Sequence, residues 1–116
     1  MPPRPVAVME LIGYQRRAAE LLSEAEQSAV VDLIAYEPTC GDLIVGTGGL
    51  RKVRVGRGGS GKRGGARVIY YFYNGDFPAV LMALYAKNEK ADITARDRRD
   101  LAASLKEIMA SWLRKR

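Results

Sequence analysis

The stretch LRKVRVGRGGSGKRGGARVIYYFYNGDFPAVLMALY, residues 50–85, decides how this chain folds. Leu50 to Val55 alternates: Lys52 and Arg54 fall on one side of a strand, Val53 and Val55 on the other. Arg67 to Tyr73 is the richest run of β-branched and aromatic residues in the chain and reads as its strongest strand. Asn74-Gly75 is the pair that a tight hairpin favours. Ala79 to Tyr85, introduced by Pro78, gives a further strand. Between the first two segments lies Gly56 to Gly65, too rich in glycine for regular structure. The spacing predicts consecutive antiparallel strands of one sheet.

Working outward, residues 5–11 predict a short first strand, and Tyr14 to Leu22 favours a helix with Ala18, Ala19, Leu21 and Leu22 as its apolar side. Ser23 followed by Glu26 is a capping-box pattern, so a second helix should start there. Its stripe is Ala29, Val30, Leu33 and Ile34, and Pro38 ends it at or before Glu37. Thr94 with Asp97 three residues on repeats the capping pattern before a last helix. There Leu101, Leu105, Ile108, Met109, Trp112 and Leu113 recur at helical spacing. Trp112 is read as core. No repeat or linker interrupts residues 1–116, so the expectation is one α+β domain. It combines a mainly antiparallel sheet of three to four strands with an N-terminal helical hairpin and a C-terminal helix.

The net charge is +6, but the basicity is local. Between Asp42 and Asp76 stand Arg51, Lys52, Arg54, Arg57, Lys62, Arg63 and Arg67, with no carboxylate among them. Such a patch points to a polyanion, and nucleic acid is the expected one. One cysteine, Cys40, excludes an internal disulfide and fits a reducing compartment; it is read as inert packing. There is no histidine, which removes the commonest general base and metal ligand and the Ser-His and Cys-His nucleophiles. No metal or cofactor is expected. No signal-like or membrane-length apolar run is present, so the expected location is the cytoplasm, without a membrane partner.

Two motifs attract attention and fail. Gly56 to Gly61 matches G-x-G-x-x-G, and Gly56 to Lys62 matches G-x-x-x-x-G-K. Both phosphate-binding loops need a helix to begin at the glycines, whereas here a strand comes next. The second also needs Ser or Thr after the lysine, where this chain has Arg63. A basic glycine loop that grips phosphate backbone fits better.

Three stretches carry a family resemblance: Gly46-Thr-Gly-Gly-Leu-Arg-Lys-Val-Arg54, Gly61-Lys-Arg-Gly-Gly-Ala-Arg-Val-Ile-Tyr-Tyr-Phe72 and Leu84-Tyr-Ala-Lys-Asn-Glu-Lys-Ala-Asp-Ile-Thr94. With the order of elements, they resemble the RelE/ParE superfamily of bacterial type II toxins, and within it the HigB-like branch. The resemblance implies an endoribonuclease that cuts mRNA in the ribosomal decoding site. It also implies neutralisation by a cognate antitoxin, usually a helix-turn-helix protein through which any DNA contact would be indirect.

That chemistry suits a chain without histidine. The RNA's own 2′-hydroxyl attacks the adjacent phosphate, leaving a 2′,3′-cyclic phosphate and a 5′-hydroxyl. The enzyme moves two protons and stabilises charge on phosphorus, the second task suiting arginine. By the resemblance, Lys52 and Arg54 hold the place of the family's sheet-borne cations, Arg67 that of the arginine at the scissile phosphate, and Lys87 and Lys90 that of the basic segment after the last strand. Arg51, Arg57, Lys62, Arg63 and Asn88 are assigned to RNA binding. Tyr71, on Arg67's side by alternation, is assigned either to base stacking or to core. The chain departs from the family where a tyrosine would stand six residues after Lys87; here it is Ile93. Glu89, Asp92 or a lysine are the candidate proton acceptors. The alternatives are a ParE-like poison of DNA gyrase and a non-catalytic RNA-binding module; neither needs lysines and arginines converging from three strands.

Overall fold

The structure is a computed structural model that describes residues 4–58, 65–90 and 92–114. In chain order the elements are β1 (Val8–Glu10), α1 (Ile12–Leu21), α2 (Glu24–Tyr36), β2 (Asp42–Leu43), β3 (Leu50–Val55), β4 (Ala66–Tyr71), β5 (Ala79–Ala86) and α3 (Ala95–Arg114). The three long strands and three helices fall where the sequence places them, and the α+β class holds.

The sheet has five strands in the order β1-β5-β4-β3-β2, not three or four. The unexpected strand is β2, whose two residues are too few to show alternation; Asp42 pairs with Lys52 and Leu43 with Arg51. Strand β1 is shorter than residues 5–11 and lies parallel to β5, Val8 opposite Ala79. The other pairings are antiparallel. Asn74-Gly75 does not form a two-residue hairpin. Pairing stops at Tyr71 and Val80, and Asn74 turns the chain by accepting the Asp76 N–H on its side chain at 2.8 Å. Phe77 in that loop stacks on Trp112 with ring centroids 4.9 Å apart.

Two layers cover the sheet. On one face α1 and α2 place Tyr14, Ala18, Leu22, Val30 and Ile34 over Val55, Val68, Tyr70, Leu81 and Leu84. On the other, Leu105 of α3 packs over Leu50, Ile69, Tyr71, Val80 and Met82, with Ile108, Met109 and Trp112 at its margin. Coverage on both faces explains why every residue of β4 is buried. No helix among the described residues is long and apolar enough to cross a membrane.

One irregularity in β5 decides which of its side chains face which layer. Its register steps from Ile69↔Ala83 to Tyr70↔Leu81, passing over Met82. The extra residue reverses the alternation along the strand. Leu81 and Leu84 therefore share the helical-hairpin face, while Met82 and Tyr85 share the other.

The capping box at the helical turn forms in full. Ser23 Oγ accepts the Glu26 N–H at 3.1 Å and Glu26 accepts the Ser23 N–H at 2.8 Å. The second Glu26 oxygen accepts the Gly58 N–H at 2.7 Å, tying α2 to the end of β3. Ser23→Ala is expected to lower stability by about 1 kcal/mol, read as a lower urea midpoint at unchanged slope.

Candidate active site on the cationic face of the sheet

Register alone assembles a row of polar side chains across three strands. Arg54 on β3 stands opposite Arg67 on β4, and Arg67 opposite Tyr85 on β5. Two residues along β3, Lys52 faces Asp42 of β2. These five side chains and Cys40 line a cleft of about 270 Å3.

Arg67 forms its floor. It is 7 % exposed, yet its guanidinium has only the Ala66 carbonyl, 3.4 Å away, as a hydrogen-bond acceptor among the described residues. No carboxylate among them pairs with it. Arg54, on the rim, is exposed. Lys52 pairs with Asp92 at 3.3 Å. The Asp92 carboxyl is held below its ordinary range, first by the Ile93 N–H that it accepts and then by Lys52. The Tyr85 hydroxyl lies 3.5 Å from the same carboxylate. Burial pushes the Tyr85 phenol up, Asp92 adds to this, and Arg67 opposes it.

The cations assigned from the sequence separate into different positions. Lys52, Arg54 and Arg67 come together as expected. Lys90 lies behind the cleft, donating to Asp97 at 2.8 Å and sitting 5.5 Å above the Tyr85 ring. Lys90 and the Thr94 N–H hold the Asp97 carboxyl down to about 2. Lys87 and Asn88 are exposed on the turn after β5, outside the cleft lining. Arg51 points away from Lys52 and donates to the carbonyls of Thr39 and Gly41, so it fastens the loop before β2. Arg57 donates to the Leu21 carbonyl at the tip of the helical hairpin, at 3.1 Å. Lys62 and Arg63 lie outside the described residues.

Two expectations are corrected here, for Tyr71 and Cys40, and the surroundings of Glu89 and Asp92 tell those two candidates apart. Tyr71 is 6 % exposed within the α3-side core, so no ring face is open for a base. Cys40 is exposed at the cleft rather than packed. Glu89 and Asp92 are not equivalent as proton acceptors, because their surroundings differ. Glu89 is bound by Arg17 of α1 and accepts the Ala86 N–H at 2.9 Å, which holds the turn after β5 in place. Asp92 alone of the two faces Lys52 and Tyr85.

Tyr85 is the residue that sequence reasoning missed. Simple alternation from Leu81 sends it to the helical-hairpin face, and the skipped Met82 brings it back beside Arg67. Its one sequence signal is its place in the Leu84-to-Thr94 stretch.

The resemblance of three short stretches implies an antiparallel-leaning sheet with sheet-borne cations, a helical hairpin on one side and a C-terminal helix, and the five-stranded sheet keeps that layout. A family model reaches well beyond those stretches. Residues 14–115 match the RelE toxin of the RelE/RelB toxin–antitoxin system. That span takes in every element from α2 onward, nearly all of α1 and all the cleft residues named above, so the chain belongs to the RelE toxin family.

Proposed function

We propose that this protein is a type II toxin acting as a metal-independent, ribosome-dependent mRNA endoribonuclease. The observation that carries the reading is Arg67. A guanidinium so nearly enclosed is unfavourable without a counter-charge, and this one has none among the described residues. It is a charge kept for a ligand. The ligand is anionic and enters between Lys52 and Arg54, which a phosphodiester does well because its two free oxygens match the guanidinium fork.

In this reading Arg67 holds the scissile phosphate and offsets the charge that builds on it. Arg54 holds a flanking phosphate. Lys52 leaves Asp92 for the phosphate or the attacking oxygen as RNA enters. Lys87, Asn88, Lys62 and Arg63 contact backbone of mRNA or ribosome, and Lys90 orients the Tyr85 ring. The natural inhibitor is a cognate antitoxin of the helix-turn-helix kind, in keeping with the HigB-like character of the three stretches. A gyrase poison has no use for a buried, phosphate-shaped cation beneath two others.

Primer extension on mRNA in a translation extract tests this. New 3′ ends within open reading frames are expected with purified protein. Their absence, together with gyrase-linked DNA breaks, would move the protein to the ParE side of the superfamily. Lys52→Ala is expected to slow cutting by roughly ten- to hundredfold, the range for a group that handles charge or protons at the site.

A further inference from the structure

We infer that Tyr85 donates the proton to the leaving 5′-oxygen and that Asp92 links the two proton transfers. The inference rests on the nuclease reading and assigns the step for which the cleft has no other neutral hydroxyl among its lining residues. Three independent features of the fold converge on it. The register step at Met82 turns Tyr85 into the cleft, where it is the cross-strand neighbour of Arg67. Its hydroxyl stands 3.5 Å from Asp92, whose other side-chain partner is Lys52. Its ring is fixed, being 4 % exposed and covered by the Lys90 ammonium. The position where the family resemblance leads one to expect a tyrosine is Ile93, which is buried in the α3-side core and reaches no substrate.

The protonation states suit the roles. A phenol raised above its ordinary range by burial stays protonated at neutral pH, and a carboxyl lowered below its range stays ionised. The first is an acid and the second an acceptor.

The step balances within the chain and the RNA. Asp92 takes the proton of the 2′-hydroxyl as O2′ bonds to phosphorus. The bond from phosphorus to O5′ breaks, and O5′ takes the Tyr85 proton. The phenolate then recovers a proton from Asp92 across their contact. RNA leaves with a 2′,3′-cyclic phosphate and a 5′-hydroxyl, and both side chains are restored.

The test uses purified toxin in single turnover on ribosomes programmed with short synthetic mRNAs. One mRNA carries the normal bridging 5′-oxygen at the cut, the other a sulfur, which departs as a thiolate and needs no proton. Tyr85→Phe is expected to cut the oxygen substrate ~100-fold more slowly and the sulfur substrate at close to the wild-type rate. Asp92→Asn is expected to slow both, because the 2′-proton must be removed from either. An unchanged rate for Tyr85→Phe on the oxygen substrate overturns the role, as does an equal loss on both substrates, which is the mark of a structural residue. If Tyr85→Phe does not fold, Asp92→Asn decides: full activity overturns the relay. Wild-type protein that cuts neither mRNA removes the nuclease reading itself.

Discussion

Replacing Arg67 by methionine is expected to leave the protein folded, at least as stable as before, and without measurable cutting. The two halves of this outcome have one cause. The side chain is nearly enclosed and its charge has no carboxylate partner among the described residues. Folding therefore takes much of a guanidinium out of water and returns, among the described residues, one long hydrogen bond to the Ala66 carbonyl. Methionine fills similar space, keeps the packing of the stem and removes that desolvation, for a gain of about 1 kcal/mol or more. On the nuclease reading, the same change removes the cation that offsets charge on the scissile phosphate. Losing one such group costs at least tenfold in rate, or ~1.4 kcal/mol of barrier, and more commonly 10²- to 10³-fold. Arg67→Ala should show the same loss of rate without the gain in stability, since it also opens a cavity. Urea unfolding and primer extension on the same preparations measure the pair. A methionine variant that is both less stable and fully active would remove Arg67 from the centre of the site.

Tyr70→Ala is expected to be the most destabilising single change, by about 3–5 kcal/mol. Tyr70 is fully buried on β4, and its ring packs under the helical hairpin. Its hydroxyl accepts the Gly41 N–H and donates to the Pro38 carbonyl, both at 2.8 Å. The loop between α2 and β2 is pressed onto that hydroxyl so closely that a Cβ at Gly41 would lie 2.9 Å from it and from the Lys52 carbonyl. Tyr70→Phe keeps the ring and removes the hydroxyl, leaving the buried Gly41 N–H and the part-buried Pro38 carbonyl without that partner, and should cost about 1–3 kcal/mol. Against a total of about 5–15 kcal/mol for a domain of this kind, the alanine variant is close to unfolding. The phenylalanine variant keeps its fold but frees the loop that carries Cys40 and leads into Asp42. Its cutting should fall more than its small change in packing suggests. Urea midpoints rank the three proteins, and equal midpoints for wild type and Tyr70→Phe would show that the two hydrogen bonds contribute nothing.

The sequence marks local structure well here and long-range pairing poorly. Both capping boxes form because their partners are three residues apart, Ser23 with Glu26 and Thr94 with Asp97. The faces of β3 follow from alternation, which brings Lys52 and Arg54 to the cleft and leaves Val55 in the hairpin-side core. The parallel pairing of β1 with β5 joins Val8 to Ala79 and leaves no local trace in either segment. Tyr85 was hidden for a different reason. A single extra residue in a strand reverses every later side chain, and only the register with β4 shows it. The basic residues stand in plain view, but charge alone does not tell which guanidinium is committed to a backbone carbonyl. Arg51 and Arg57 are so committed, while Arg54 and Arg67 line the cleft, Arg67 with a long contact to the Ala66 carbonyl.

The pairing of β1 with β5 orders events during synthesis. While the ribosome is still adding residues before Ala79, β1 has no strand to lie against and β4 has a bare edge. Arg67 then lacks the neighbour that completes its row. The cleft is finished only when Asp92 and the start of α3 have emerged as well. On the nuclease reading, a nascent chain is thus inert toward the machine that is making it until α3 is free to pack.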